Sequence, residues 1–150
     1  MEFELPPDFR ELFELLNANR VRYLLLGGYA VGAYGYPRAT NDLDVFVSSD
    51  ADNVDRLSSA LTSFGFSESK STKEAFLQQR SILEMGVEPM KIQLMNFADG
   101  IGFEQAFERK NVIDIAGVSV AMVSKADLIA NKRAVGRHKD LDDIERLEKE

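Results

Sequence analysis

Two aspartates one residue apart, Asp42 and Asp44, open the run "DLDVFV". Side chains alternate across a strand, so these two carboxylates share one face while Leu43 and Val45 take the other. Carboxylates that close repel each other and raise at least one pKa unless a cation lies between them. Mg²⁺ suits such a pair, because it takes carboxylate oxygens and keeps positions for phosphate oxygens and water. Just upstream, "VRYLLLGG" reads as a short buried strand stopped by Gly27 and Gly28, with a short helix of small residues after it. Glycine lets the backbone approach a phosphate, and free N–H groups at a helix start favour an anion. A phosphate cradle and a divalent-metal pair on adjacent strand ends suit phosphoryl transfer, where the protein mainly positions groups and neutralises charge. Taken singly, a strand-Gly-Gly turn is more often tight packing, and Asp-x-Asp is more often a loop end or a cap. Together they favour a site.

A second group of polar residues lies near the C-terminus. Leu128, Lys132 and Val135 fall at i, i+4 and i+7 with Ile129 alongside, which puts Lys132 on the inward stripe of a helix. An inward lysine needs an anion or must snorkel out to water. Asp140, Ile144 and Leu147 share a face of the next helix, Asp142 points away, and Asp143 lies near the boundary. Lys132 and Asp140 could pair structurally or line a common pocket. His138, the one histidine, reads as an exposed residue of the polar turn "GRHKD" rather than a base. Tyr29, Tyr34 and Tyr36 could stack a base or sugar, though each suits packing better. Phe64, Phe66, Phe76, Phe103 and Phe107 are assigned to the core.

The elements that must position these residues follow from periodicity and punctuation. Pro6 and Pro7 lead into a helix over roughly 7–18, where Phe9, Leu12, Phe13, Leu15 and Leu16 recur at helical spacing. Strands are expected at "VRYLLL", "DLDVFV", "SILEMG" and "MKIQLMN", and a hairpin around Ala116-Gly117. Residues 51–65 form an amphipathic helix stopped by Gly65, "AFLQQ" is ambiguous, and residues 69–74 read as an exposed loop. "GFEQAFERK" gives a short helix, and "SKAD" has capping-box form for a helix ending at Gly136. A last helix covers "KDLDDIERLEKE". This order predicts an α/β (α+β) fold, a mixed sheet with helices mainly on one face, in one domain over 1–150. The short crossover between residues 26 and 42 calls for antiparallel pairing.

Composition narrows the function classes. Apolar residues at 45% and charged residues at 29% describe a globular chain rather than a disordered one. No apolar run reaches the ~20 residues of a membrane span, and "MEFELPPDF" lacks the basic start of a secretory signal. With no cysteine and one histidine, any metal would be held by oxygen, and a cytoplasmic location fits. The net charge of −7 argues against a broad electrostatic grip on nucleic acid.

The stretch "GGYAVGAYGYPRATNDLDVFV" resembles the signature of the nucleotidyltransferase superfamily related to DNA polymerase β. More narrowly it is similar to the minimal bacterial group of AbiEii-type and MenT-type toxins. "LIANKRAVGRHKDLDDIERL" is similar to that group's C-terminal Lys and Asp motifs. The resemblance implies a nucleotidyltransferase-like fold and transfer of NMP from an NTP to an acceptor hydroxyl, with pyrophosphate released. It implies that Gly27 and Gly28 bind nucleotide phosphates and that Asp42 and Asp44 hold Mg²⁺. Arg38 and Thr40 stand where the group keeps R-x-T, Lys132 would contact the triphosphate, and Asp140 would stand beside it. RNA (tRNA especially), a protein or a small molecule would be the acceptor, and an antitoxin or toxin partner is implied too. The third carboxylate of the superfamily is missing: Gln93 occupies its expected place in "MKIQLMN", with Glu84 or Glu88 as substitutes. General-base help is worth roughly 10²–10⁴ in rate. That departure keeps two other readings in view, a non-catalytic nucleotide binder and an interaction domain whose acids only cap a loop.

Overall fold

The computed structural model describes residues 5–36, 42–66, 69–78, 80–87 and 90–149. In chain order its elements are α1 (Pro7–Ala18), β1 (Tyr23–Leu26), α2 (Gly27–Ala33), β2 (Asp42–Val47), α3 (Ala51–Phe64) and α4 (Ser69–Gln78). There follow β3 (Ile82–Val87), β4 (Met90–Met95), α5 (Phe103–Glu108), β5 (Asn111–Ile115), β6 (Val118–Met122), α6 (Lys125–Val135) and α7 (His138–Glu148). The strands form one mixed sheet in the order β3-β4-β2-β1-β6-β5. β1 and β2 are antiparallel, as the short crossover requires, whereas β2–β4 and β1–β6 are parallel.

Alternation along the central strands gives the sheet two unlike faces. Tyr23 and Leu25 pair in register with Val47 and Val45, and all four are buried. The Tyr23 ring meets Phe13 of α1 at 5.6 Å between centroids, and α1 packs beside α3 over this apolar side. Burying each such large apolar side chain contributes about 1.5–3 kcal/mol, so this face anchors the sheet. The opposite face carries Leu24, Leu26, Asp44, Phe46 and Gln93. Phe103 of α5 covers Phe46 edge-on at 5.1 Å, which leaves the Asp44 end of that face outside the apolar cover.

Local signals account for most element ends. Gly65 and Gly136 take left-handed φ values of 103° and 72° and stop α3 and α6. At the N-terminus of α6 the Ser124 hydroxyl accepts the Asp127 amide at 3.1 Å. The β5–β6 hairpin turns on Ala116 and Gly117, both with positive φ, in register Ile115↔Val118. Arg10 Nε donates to the Ala116 carbonyl at 2.9 Å and ties this hairpin to α1.

Three expectations need correction. Residues 69–74 belong to α4 rather than to a loop, and residues 75–78 of the ambiguous "AFLQQ" supply its end. Their polar sequence has no clear apolar stripe, but Phe76 is 1% exposed and Lys73 pairs with Asp55 of α3 at 2.8 Å. Packing therefore makes this helix where periodicity could not announce it. α2 begins at Gly27, two residues earlier than the small-residue run suggested. His138 is exposed as expected, but it opens α7 instead of sitting in a turn. Of the five phenylalanines assigned to the core, Phe76 is fully buried and the other four pack partly buried against it.

Candidate active site

β1 ends at Leu26, opposite Asp44 of the antiparallel β2, and the chain then turns sharply at Gly27. Gly27 has φ +69°, a conformation that costs an L-residue free energy. It also lacks room for a side chain: a Cβ there would overlap the Asp44 carboxylate. The glycine therefore lets a carboxylate lie directly against the backbone of the turn. Gly28, one residue on, is buried inside α2. On the other flank of β2, Gln93 of β4 stands in register with Asp44, and Lys91 with Asp42.

Asp44 is half-buried, and its carboxyl is pushed up from 3.8 to about 6. Burial is the main cause and the charge of Asp42 the next, while Lys132, Lys139 and Arg137 pull partly the other way. Asp42 therefore acts on Asp44 from the same side of the strand, as the one-apart spacing requires. The neighbouring Tyr29 hydroxyl is raised too, first by burial and then by Asp42.

A cleft of about 680 Å³, open mouth included, joins Gly27, Asp44 and Gln93 to Lys132, Arg137 and Asp140. The α6–α7 side of the cleft is a closed network. Lys132, 4% exposed, places its Nζ 3.0 Å from Asp143 Oδ2 and 3.5 Å from Asp140 Oδ1. Arg137 grips the same Asp140, its Nε donating to Oδ2 at 2.7 Å and Nη2 to Oδ1 at 3.2 Å. Its backbone amide adds a third bond at 3.2 Å, a capping box at the start of α7. Burial pushes the Asp140 carboxyl up, but the Arg137 hydrogen bonds and the Arg137 and Lys132 charges outweigh it and hold it below its ordinary value.

Of the residues singled out from sequence, the cleft gathers Gly27, Asp44, Lys132 and Asp140, with Asp42 and Gly28 adjoining. Lys132 both pairs with Asp140 and lines the cleft, so the two readings of that lysine coincide. Arg38 and Thr40 lie outside the described residues, as does Glu88. Glu84 stands in register with Gln93 and pairs with Lys91 at 3.4 Å. It is two strands from Asp44, about 10 Å, and so does not replace a carboxylate at Gln93. The tyrosines serve the scaffold: Tyr34 donates to the Val123 carbonyl, Tyr36 to that of Lys149, and Tyr29 packs edge-on against Phe9.

The donor set fits a magnesium ion in part. Two carboxylates on one face, one of them destabilised as an anion, are oxygen donors of the kind a hard cation takes. Among the described residues no group of three or more acidic or histidine side chains gathers as a metal cage. Phosphate oxygens and water would have to complete an octahedral shell.

A domain family described as nucleotidyl transferase of unknown function matches residues 7–150. The chain belongs to that family. No curated protein sequence matches it significantly. Among solved structures it is similar to an antigenic nucleotidyltransferase-like protein from Paracoccidioides brasiliensis, at 18% identity and TM-score 0.53, over 92% of this chain and 72% of that one. It is also similar to the lincosamide antibiotic adenylyltransferase LnuA in its lincomycin-bound form, at 13% identity and TM-score 0.56, over 97% and 98% of the two chains. The six-stranded mixed sheet is thus a nucleotidyltransferase fold. Among the described residues of this family member no helix is long and apolar enough to cross a membrane.

The sequence reading gave Arg137 no role and left Asp143 near the boundary of the inward face of its helix. Both were detectable in principle, because Arg137, Asp140 and Asp143 succeed one another at i, i+3 spacing. The flanking charges of "KDLDDIERLEKE" masked that pattern as a solvated face.

Proposed function

We propose that the protein is an Mg²⁺-dependent nucleotidyltransferase that moves NMP from an NTP to an acceptor hydroxyl. The observation that carries this reading is the Asp44 carboxylate, packed on the bare backbone of Gly27 and raised to about 6, at one end of a cleft bordered by Lys132 and Arg137. Nature rarely leaves two acids this way without a cation to take up their charge.

In this reading Asp42 and Asp44 hold the ion, which when bound supplies the positive charge that draws triphosphate oxygens together. Gly27, with Gly28 behind it, admits the phosphates to the backbone of the turn. Lys132 faces them from α6, and Arg38 and Thr40 carry the roles that the family resemblance gives them. The acceptor oxygen attacks the α-phosphorus in line, the bond to the β-phosphate oxygen breaks, and pyrophosphate leaves. Gln93 cannot take the acceptor proton, so that proton passes to solvent or to the leaving pyrophosphate. The same glutamine, in register with Asp44, favours the second reading, a nucleotide-binding regulatory partner of toxin–antitoxin type with a degenerate site.

Incubation with Mg²⁺, each α-labelled NTP and three acceptor pools tests both: total RNA, protein lysate and small hydroxyl compounds. Label reaching an acceptor with the parent but not with Asp42→Ala or Asp44→Ala supports transfer. Nucleotide binding without any labelled acceptor supports the regulatory reading, and equal labelling by all three proteins removes these acids from the site.

A further inference from the structure

The cleft lining also includes one aromatic ring. Phe97, half-buried, is the one aromatic side chain among the described residues lining the cleft. The Arg80 guanidinium stacks on its ring at 4.1 Å from the centroid, and Arg80 itself does not line the cleft. Arg80 also pairs with Asp99 at 3.3 Å, and Asn131 Nδ2 donates to the Asp99 carbonyl at 2.8 Å, which fastens this segment to α6. Gly100 tightens the join: with φ +82°, a Cβ there would come within 2.8 Å of the Ala130 carbonyl and of Ala134 Cβ. The chain thus holds an apolar ring partly open to a polar cleft. Phe97 and Gly27 line one and the same cleft.

We propose that Phe97 is the platform on which the base of the bound nucleotide stacks. This rests on reading the cleft as a nucleotide site and names the part of the substrate that the ring takes. Stacking on one aromatic face accepts any base and favours the larger purines, so ATP and GTP should bind ahead of CTP and UTP.

Calorimetric binding of Mg·ATP and of Mg·tripolyphosphate, which has phosphates and no base, separates the two readings. Phe97→Ala should weaken ATP roughly 5- to 100-fold, and Phe97→Tyr should stay within about threefold of the parent, with tripolyphosphate unchanged for both. Phe97→Leu, which keeps the volume without the ring, replaces the alanine variant if that protein melts early. Parent protein that binds tripolyphosphate as tightly as ATP, or a Phe97→Leu variant that loses no ATP affinity, overturns the stacking platform and leaves the phosphate site standing. Failure of the parent to bind either ligand removes the nucleotide site itself.

Discussion

Two pairs of acids each give one member to the cleft, Asp44 from one and Asp140 from the other, and the pairs live under opposite rules. Asp140 and Asp143 face Lys132 and Arg137, so their charges are matched within the protein and the Asp140 carboxyl lies below its ordinary value. Asp42 and Asp44 sit together on one strand end, and the Asp44 carboxyl rises to about 6. The first pair is a finished piece of scaffold that orients α7 against α6. The second keeps an electrostatic deficit that a cation would relieve. Similar side chains therefore do different work according to whether the fold itself supplies the counter-charge.

The sharpest way to break this contrast is to remove the shared cation of the helical pair. Lys132→Ala should cost about 3–5 kcal/mol in urea denaturation, because Asp143 and Asp140 stay buried without that ammonium. Adding Asp143→Ala should recover part of the loss; a single-variant cost below about 1 kcal/mol would mean that the network is not structural. The strand-end pair should behave in reverse. Asp44→Asn should lower label transfer by roughly 10³-fold, the scale of metal-borne charge stabilisation, while leaving the melting temperature level or higher. A variant that is both less stable and fully active would invert the contrast.

pH separates the pairs next. A carboxyl raised in the folded state holds its proton where the unfolded chain has released it, so metal-free stability falls as pH climbs from about 4 to 6. The drop owed to Asp44 should be on the order of 3 kcal/mol, visible as the difference between the parent and Asp44→Asn. Mg²⁺ should flatten it by favouring the ionised form. The lowered Asp140 carboxyl has the opposite sign, contributing stability above its unfolded value of 3.8 and losing it as pH falls through the folded one. Smaller again, Gly27→Ala should cost about 1–2 kcal/mol for the left-handed backbone. It should also reduce transfer by roughly 10²-fold by displacing the Asp44 carboxylate. Ser124→Ala, which removes a helix cap away from both pairs, should cost about 1 kcal/mol and leave transfer untouched.

Much of this was legible along the chain. The Asp42–Asp44 spacing put both acids on one face, the Gly-Gly stop marked the turn, and the helical period aimed Lys132 and Asp140 inward. α4 was not legible, since its polar residues are ordered by α3 and by Phe76 rather than by any stripe of their own. Arg137 and Asp143 hid in a run of charges whose inward members are distinguished only by what lies across from them. Phe97 gave no signal at all, because one aromatic residue in a loop has no period.

Local periods of 2 and 3.6 residues are written into neighbouring side chains, so they alone set where the acids face and which lysine turns inward. Which carboxylates receive a counter-charge, and that Gly27 must yield its side-chain space to Asp44, depend on distances between segments far apart in the chain. Those distances come from packing the sheet and the last two helices together, and no local pattern encodes them.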